Sequence, residues 1–515
     1  MGAPARSGAS ARGAGGRATA FAAALLFTAF AMAHAVIARL AGPVLALDDA
    51  KLNVVAQSFQ RGYLPSNPPL FEWTLIVAQH AAGFGPLGFA LTKSFFFGAL
   101  GAFAYLAAKE MLADRRWAFL SALSLLLLFQ FGWNFHQAYT HTTALIAAVS
   151  LFWFALARLF RARTTAGYAL LGLALGVGVL AKYSFAGAAF AAFAALALQR
   201  EGRRLLADPR LVLSFVLAAA IFAPHAYWLM AHNAGAADIM AARLSGGGAE
   251  PHWRRVAEGL PNAAGVMIAF FLPFGLVAAV LLRKDAGRLA ARPVPVLKVA
   301  RDAALIGAAG LLAAVAVIGM ERMEDRYVIP FLYPAMFVLT AALKDSDARR
   351  ANAKILVACA ASFALFCLGF KAVTVFRPGP PFCDDCRQFV DFEPVRDGLL
   401  ARGFGGEGTL VAFDETTAGN LRRLFPAARV LYASLPAYAP PRAKSAECFF
   451  VWSLDLGPAA PETLSAGIGE AQASSVVSLT RPLAGKRRMT NWTIAAIDPD
   501  GPDYDRWCAR ARSPR

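Results

Sequence analysis

Charge is what this sequence has least of. Asp, Glu, Lys and Arg make up 16% of its 515 residues, where soluble domains carry about 25%. Acids are the scarcer sign, 33 Asp and Glu against 51 Lys and Arg, for a net charge of +18. Histidine occurs 7 times and never after His252, so the second half of the chain holds no imidazole for a metal site. No Gly-rich loop of the Walker or dinucleotide type occurs, which removes the usual backbone cradle for nucleotide phosphates. The basic residues come with no nucleic-acid-reading signature, and they fall in short clusters between apolar runs. That pattern is topological, and no nucleic-acid partner is expected.

What is abundant is apolar length. Hydrophobic residues form 58% of the chain and mean hydropathy is +0.49, the composition of an integral membrane protein. A membrane span needs about 20 predominantly apolar residues. Eleven stretches qualify: 21–41, 88–108, 117–133, 142–159, 167–181, 183–199, 211–230, 263–282, 302–320, 327–343 and 354–371. The expected fold is a polytopic α-helical membrane protein of about 11 transmembrane helices with a small C-terminal α/β domain. Twenty-three Lys and Arg lie in the N-terminal tail and at 109–116, 158–163, 200–210, 283–301 and 344–354, against ten in the opposite, longer loops. By the positive-inside rule the N-terminus is cytoplasmic, and an odd number of spans puts the C-terminus outside. Residues 1–20 are then a basic cytoplasmic tail, 21–371 a multi-span domain with its first extracytoplasmic loop at 42–87, and 372–515 an extracytoplasmic domain. The apolar run at 21–41 is too long for a signal-peptide core and is expected to stay uncleaved.

In 372–515 the hydrophobic period changes from helical to alternating. "TLVAFD" (409–414), "RVLY" (429–432), "ECFFVWS" (447–453) and "NWTIAAI" (491–497) are expected strands, with a helix at 416–425. Four of the six cysteines are here, Cys383, Cys386, Cys448 and Cys508. "CDDC" looks like half a zinc motif, yet no histidine accompanies it. On the oxidising side of a membrane disulfides are expected, in any of three pairings. Cys359 and Cys367 lie in the last span as apolar filler.

The first loop is the chemically suggestive part. "LDDAKLNVVAQSFQRGYLPSNPPLFEW" (47–73) puts adjacent carboxylates Asp48 and Asp49, then Lys51, at the edge of the bilayer. Asp48 suits a helix N-cap. Leu52, Val55, Ala56 and Phe59 then form one stripe, with Lys51, Asn53 and Gln57 elsewhere, as in an amphipathic helix lying in the interface. Asn67 would cap a second helix with Pro68 in its first turn, too short to span and also interfacial. Capping accounts for one aspartate but not for two. Adjacent carboxylates repel unless a cation, donor or substrate compensates.

A first extracytoplasmic loop with these features resembles the GT-C glycosyltransferases. Within that group the resemblance is to the bacterial protein O-mannosyltransferase family (glycosyltransferase family 39) and to the lipid A aminoarabinose transferases. Their loop typically opens with Asp-Glu-Ala-Arg, and this chain has Asp48-Asp49-Ala50-Lys51. Their Lys-Pro-Pro-Leu or His-Pro-Pro-Leu is matched by Asn67-Pro68-Pro69-Leu70. "GLALGVGVLAKYS" (172–184) is similar to a Gly-rich hairpin ending in Thr-Lys, and "RYVIPFLYP" (326–334) to an Arg-Tyr-x-x-Pro segment. Together these cover about the first 345 residues.

The resemblance implies a bacterial inner-membrane enzyme that takes a sugar from a polyprenyl-phosphate donor. It passes the sugar to a lipid, protein or glycan acceptor on the extracytoplasmic face, with inversion. A carboxylate can take the acceptor's proton, and a lipid-phosphate leaving group needs cations and hydrogen-bond donors. By resemblance Asp48 is the base and Asp49 its partner, with Lys51, Lys182 and Arg326 at the donor phosphate. Two departures stand out. Asn67 brings no charge where relatives carry a cation, and "WNFHQAYTHTT" (133–143) has His136 and His141 where relatives often have a second aspartate. His141 could bind phosphate, position the acceptor or titrate near neutral pH. No metal site and no cofactor are expected. The rival readings are a multi-span transporter and a non-catalytic component that binds lipid-linked glycan, but the spans lack the mid-membrane charges and repeats of transporters.

Overall fold

The computed structural model describes residues 7–137, 139–232, 250–285, 294–377 and 389–432, then 435, 438, 440–453, 455, 456, 473–479, 489–500 and 504–509. It divides into two compact units. One comprises Met1–Ala31, Ser66–Leu70 and Lys93–Cys367, the other Met32–Pro65, Phe71–Thr92 and Leu368–Arg515.

The first unit is helical. Among the described residues six helices are long and apolar enough to cross a membrane: Gly16–Arg39, Pro86–Leu112, His141–Arg161, Leu211–His232, Pro295–Ile318 and Arg349–Phe376. The pair Asp325–Leu332 and Ala335–Lys344, bent by 54°, makes up to seven. Prolines cause that bend, because Pro330 and Pro334 each lack the N–H that a continuous helix needs. Thr165–Ala181 and Ser184–Leu198 are shorter apolar helices. Two expected spans are interrupted. The 117–133 stretch is a helix Arg115–Ser124, a 3₁₀ turn Leu125–Leu127 and a single turn Phe129–Gly132. The 263–282 stretch is divided between helices His252–Phe270 and Phe274–Leu282, with Pro273 at the break. Hydropathy registers an apolar run equally whether its backbone is straight or broken.

The second unit contains a five-stranded sheet: β1 (Thr409–Ala412), β2 (Arg429–Tyr432), β3 (Cys448–Trp452), β4 (Ala473–Leu479) and β5 (Met489–Ala496). The spatial order is β2-β1-β3-β5-β4. β1 pairs parallel with β2 and β3, and β5 antiparallel with β3 and β4. β1 is buried throughout, as a strand covered on both faces should be. The four expected strands and the helix, here Glu415–Leu424, are present. β4, "ASSVVSL", is not among the expected strands, because its small polar residues weaken the alternation. A disulfide joins Cys448 to Cys508 beside Val411, Phe413, Phe450 and Trp507. Cys383 and Cys386 lie outside the described residues, while Cys359 and Cys367 are free within the Arg349–Phe376 helix.

Candidate active site

In the second unit the acid pair opens a helix, Leu47–Val55, whose N-cap position is Ala46 with no side-chain cap bond. Asp48 is thus not the cap. Both aspartates lie in the first turn, where unpaired N–H groups and the helix dipole favour carboxylates by about 0.3–1 kcal/mol each. Leu47, just before them, has φ +53°, a left-handed conformation that is costly for a non-glycine residue. Asp48 is exposed, and Asp49 and Lys51 are half-buried.

Protein covers the helix on its buried side. Ala50, Leu52, Asn53, Val54 and Val55 are buried, and Gly419 of the Glu415–Leu424 helix approaches so closely that a Cβ there would fall 2.3 Å from Ala50 O. Amide side chains fasten the contact. Asn420 accepts from Leu45 N at 3.0 Å and donates to Leu45 O at 2.8 Å. Asn53 donates to Gly419 O at 2.8 Å and Phe84 O at 3.1 Å, and accepts from Gln79 Nε2 at 2.6 Å. Gln57 donates to Val430 O at 2.8 Å and accepts from Val430 N at 2.9 Å, pairing with the edge strand β2 as another strand would. Beside them Arg422 lies 4.3 Å from the Phe84 ring centroid, and burial pushes its guanidinium down to about 10. The Leu70–Ala82 helix begins at Leu70 rather than Pro68, so Asn67 does not cap it. That helix too is covered, with Phe71, Glu72, Leu75, Ile76 and Gln79 buried.

In the first unit three helix ends meet. Lys182 is the C-cap of Thr165–Ala181, where a cation faces the negative end of the helix dipole. The hairpin that exposes it is tight, since a Cβ on Gly178 would lie 2.4 Å from the Phe185 ring. Lys182 Nζ donates to Thr142 Oγ1 at 2.9 Å, next to His141 at the start of His141–Arg161. It also lies 5.9 Å from the Tyr327 ring centroid, and the Arg326 guanidinium lies 5.7 Å from the same centroid. Arg326 pairs with Glu324. His141 is buried, with Nδ1 3.3 Å from Thr140 Oγ1. His136 packs edge-on against Phe30 and Phe97, which is a structural role. Asn67 donates only a long 3.4 Å bond to Ser66 Oγ among the bonds described.

One acid here escapes a reading of the sequence. Asp325 accepts from Asn134 Nδ2 at 2.6 Å and from the Tyr139 hydroxyl. Segment 133–143 has no carboxylate of its own and receives one from 186–191 residues away. Burial, then the hydrogen bond to Asp325, holds the Tyr139 phenol far above its usual range, so it remains a donor. The nearby "RYVIPFLYP" run is the available signal. Among the described residues no group of three or more His, Cys, Asp or Glu could hold a metal.

Residues 66–228 match the family model described as dolichyl-phosphate-mannose-protein mannosyltransferase. The chain is similar to that family over about a third of its length, and over most of its length to the relatives and structures that follow. It is 28% identical to the lipopolysaccharide core galacturonosyltransferase RgtA of Rhizobium johnstonii over 430 residues, 81% of this chain and 83% of that one. It is 25% identical to RgtB of the same organism over 449 residues, 84% of this chain and 89% of that one. Its fold is similar to ArnT from Cupriavidus metallidurans in the apo state, with a TM-score of 0.60, 14% identity and coverage of 92% and 97%. The likeness is about the same for ArnT bound to undecaprenyl phosphate, with a TM-score of 0.59, 14% identity and coverage of 93% and 99%.

Proposed function

We propose that the chain transfers a uronic-acid sugar from a polyprenyl-phosphate donor to a lipopolysaccharide-type glycolipid, at the periplasmic face of a bacterial inner membrane and with inversion. All eleven apolar segments cross or enter the bilayer, the N-terminus is cytoplasmic, and the 372–515 domain is periplasmic. An acceptor hydroxyl attacks the anomeric carbon and gives its proton to the Asp48 carboxylate. The bond from that carbon to the phosphate oxygen breaks, and its electron pair leaves on the polyprenyl phosphate. Asp49 orients Asp48 or the acceptor. Lys182 and Arg326 receive the phosphate charge, with Lys51, Asn67 and His141 as further polar groups for the donor.

The observation that carries this reading is the placement of Lys182 and Arg326, each within 6 Å of the Tyr327 ring centroid, which suits an anionic group. The sugar class is supported by the names of the relatives. The test is transfer by the purified protein in lipid vesicles from polyprenyl-phosphate-linked galacturonic acid, mannose or aminoarabinose to a lipopolysaccharide core acceptor, read by mass. Transfer of galacturonic acid alone is expected. Transfer of a neutral or amino sugar instead overturns the sugar class, and no transfer from any polyprenyl donor overturns the mechanism.

A further inference from the structure

Segments 109–116, 158–163, 200–210 and 283–301 carry much of the basic charge on the side that the Lys and Arg asymmetry assigns to the cytoplasm. In the first unit residues from all four line one cavity of about 350 Å³. Its floor is apolar, formed by Met111, Leu159, Leu205 and Val296, and Arg161, Arg163 and Arg204 stand around it with Glu110 and Glu201.

The three arginines differ in their bonding. Arg161 meets Glu110 at 3.0 Å, with the acid side chain 11% exposed and the arginine 71% exposed, so this pair serves the structure. Arg163 donates to the Arg204 carbonyl at 3.3 Å and accepts on its own carbonyl from Arg210 at 2.9 Å, which ties two of the segments together. Among the described residues neither Arg163 nor Arg204 forms an ion pair with a carboxylate. Cationic heads over an apolar floor, at helix ends, match an amphiphile whose head is a phosphodiester. A freely soluble phosphate would have no use for that floor. The volume is near the lower end for ligand sites, enough for a head group and glycerol while the acyl chains stay in the bilayer.

We propose that this cavity binds the head group of an anionic phospholipid of the cytoplasmic leaflet through Arg163 and Arg204. Lipid anions recognise basic pockets between membrane helices in this way. The site does not depend on the sugar-transfer residues.

The full-length protein, extracted from vesicles of phosphatidylcholine with or without phosphatidylglycerol, can be examined by native mass spectrometry for retained lipid. Wild type should hold one phosphatidylglycerol in preference to phosphatidylcholine. Arg163→Gln and Arg204→Gln should each weaken that preference about fivefold, and the pair about 25-fold, at roughly the electrostatic worth of one arginine each. Equal retention by wild type and the double variant would overturn the proposal. So would displacement of the lipid by millimolar inorganic phosphate, which would make this a site for soluble anions. Should the Gln pair not fold, Arg163→Lys with Arg204→Lys keeps the charge. Retention within about tenfold supports the site, and loss of preference in that folded variant overturns it.

Discussion

Asp48 and Asp49 occupy adjacent positions in one helical turn, and the helix N-terminus relieves part of their mutual repulsion. Asp48 is the more exposed of the two, as a base that must meet an acceptor should be. Asp48→Asn keeps size and hydrogen bonding but cannot take a proton near neutral pH. Turnover should fall by about 10²–10⁴ while the melting temperature stays near wild type. Asp49→Asn should have the smaller effect on rate, and near-normal transfer by both variants would leave the acid pair without a catalytic role. Lys182→Gln should act on the donor instead. Removing a charge-assisted bond to phosphate costs about 1.5–3 kcal/mol, so KM for the polyprenyl donor should rise by about 10–100-fold, checked by initial rates across donor concentration. At this scale Asp48, Lys182 and Arg326 are proposed from the local motifs in which they sit. Asp325 could not be proposed that way, because its partners Asn134 and Tyr139 are far away in the chain and no local pattern links them.

The Leu47–Val55 helix shows how an element can be found from the sequence while the protein packed against it is not. Its apolar stripe is evident in the sequence, but an amphipathic pattern cannot say whether lipid or protein will cover it. Asn53, on the polar side of that pattern, is fully buried and makes three hydrogen bonds, while Phe59 of the stripe is 60% exposed. The contact with Gly419 gives a test whose sign decides. In a helix free of neighbours, Gly419→Ala would stabilise by up to about 1 kcal/mol. Here the added Cβ would meet Ala50 backbone atoms at 2.3–2.6 Å, and overpacking of this kind costs about 1–3 kcal/mol. A thermal melt of the full chain in detergent should therefore show Gly419→Ala to be destabilised, with transfer reduced because the acid pair rides on the displaced helix. A gain in stability would mean that the two helices are not in contact.

For the whole molecule, the proposed topology puts the C-terminus outside the cytoplasm. A reporter active only in the cytoplasm, fused after Arg515, should be silent, and activity would overturn the topology. The same compartment should keep Cys448 and Cys508 oxidised, so peptide mapping without reductant should find them linked. With a sequence separation of 60, loss of the cross-link by Cys448→Ser should cost up to about 4 kcal/mol through the entropy of the unfolded loop, read as a lower melting temperature. The sequence by itself determined the apolar runs of bilayer length, the clustering of cations between them, the change of period near residue 372, and the acid-pair and Pro-Pro motifs. These are properties of contiguous residues, and local chemistry suffices to express them. Tertiary structure decided which apolar stretches continue as straight helices and which cysteines pair. It also decided that Asp325 supplies the carboxylate missing from 133–143, and that amide side chains from both partners join the acid-pair helix to the C-terminal domain. Each of these joins residues tens to hundreds of positions apart, and only the folded chain brings such partners within bonding distance.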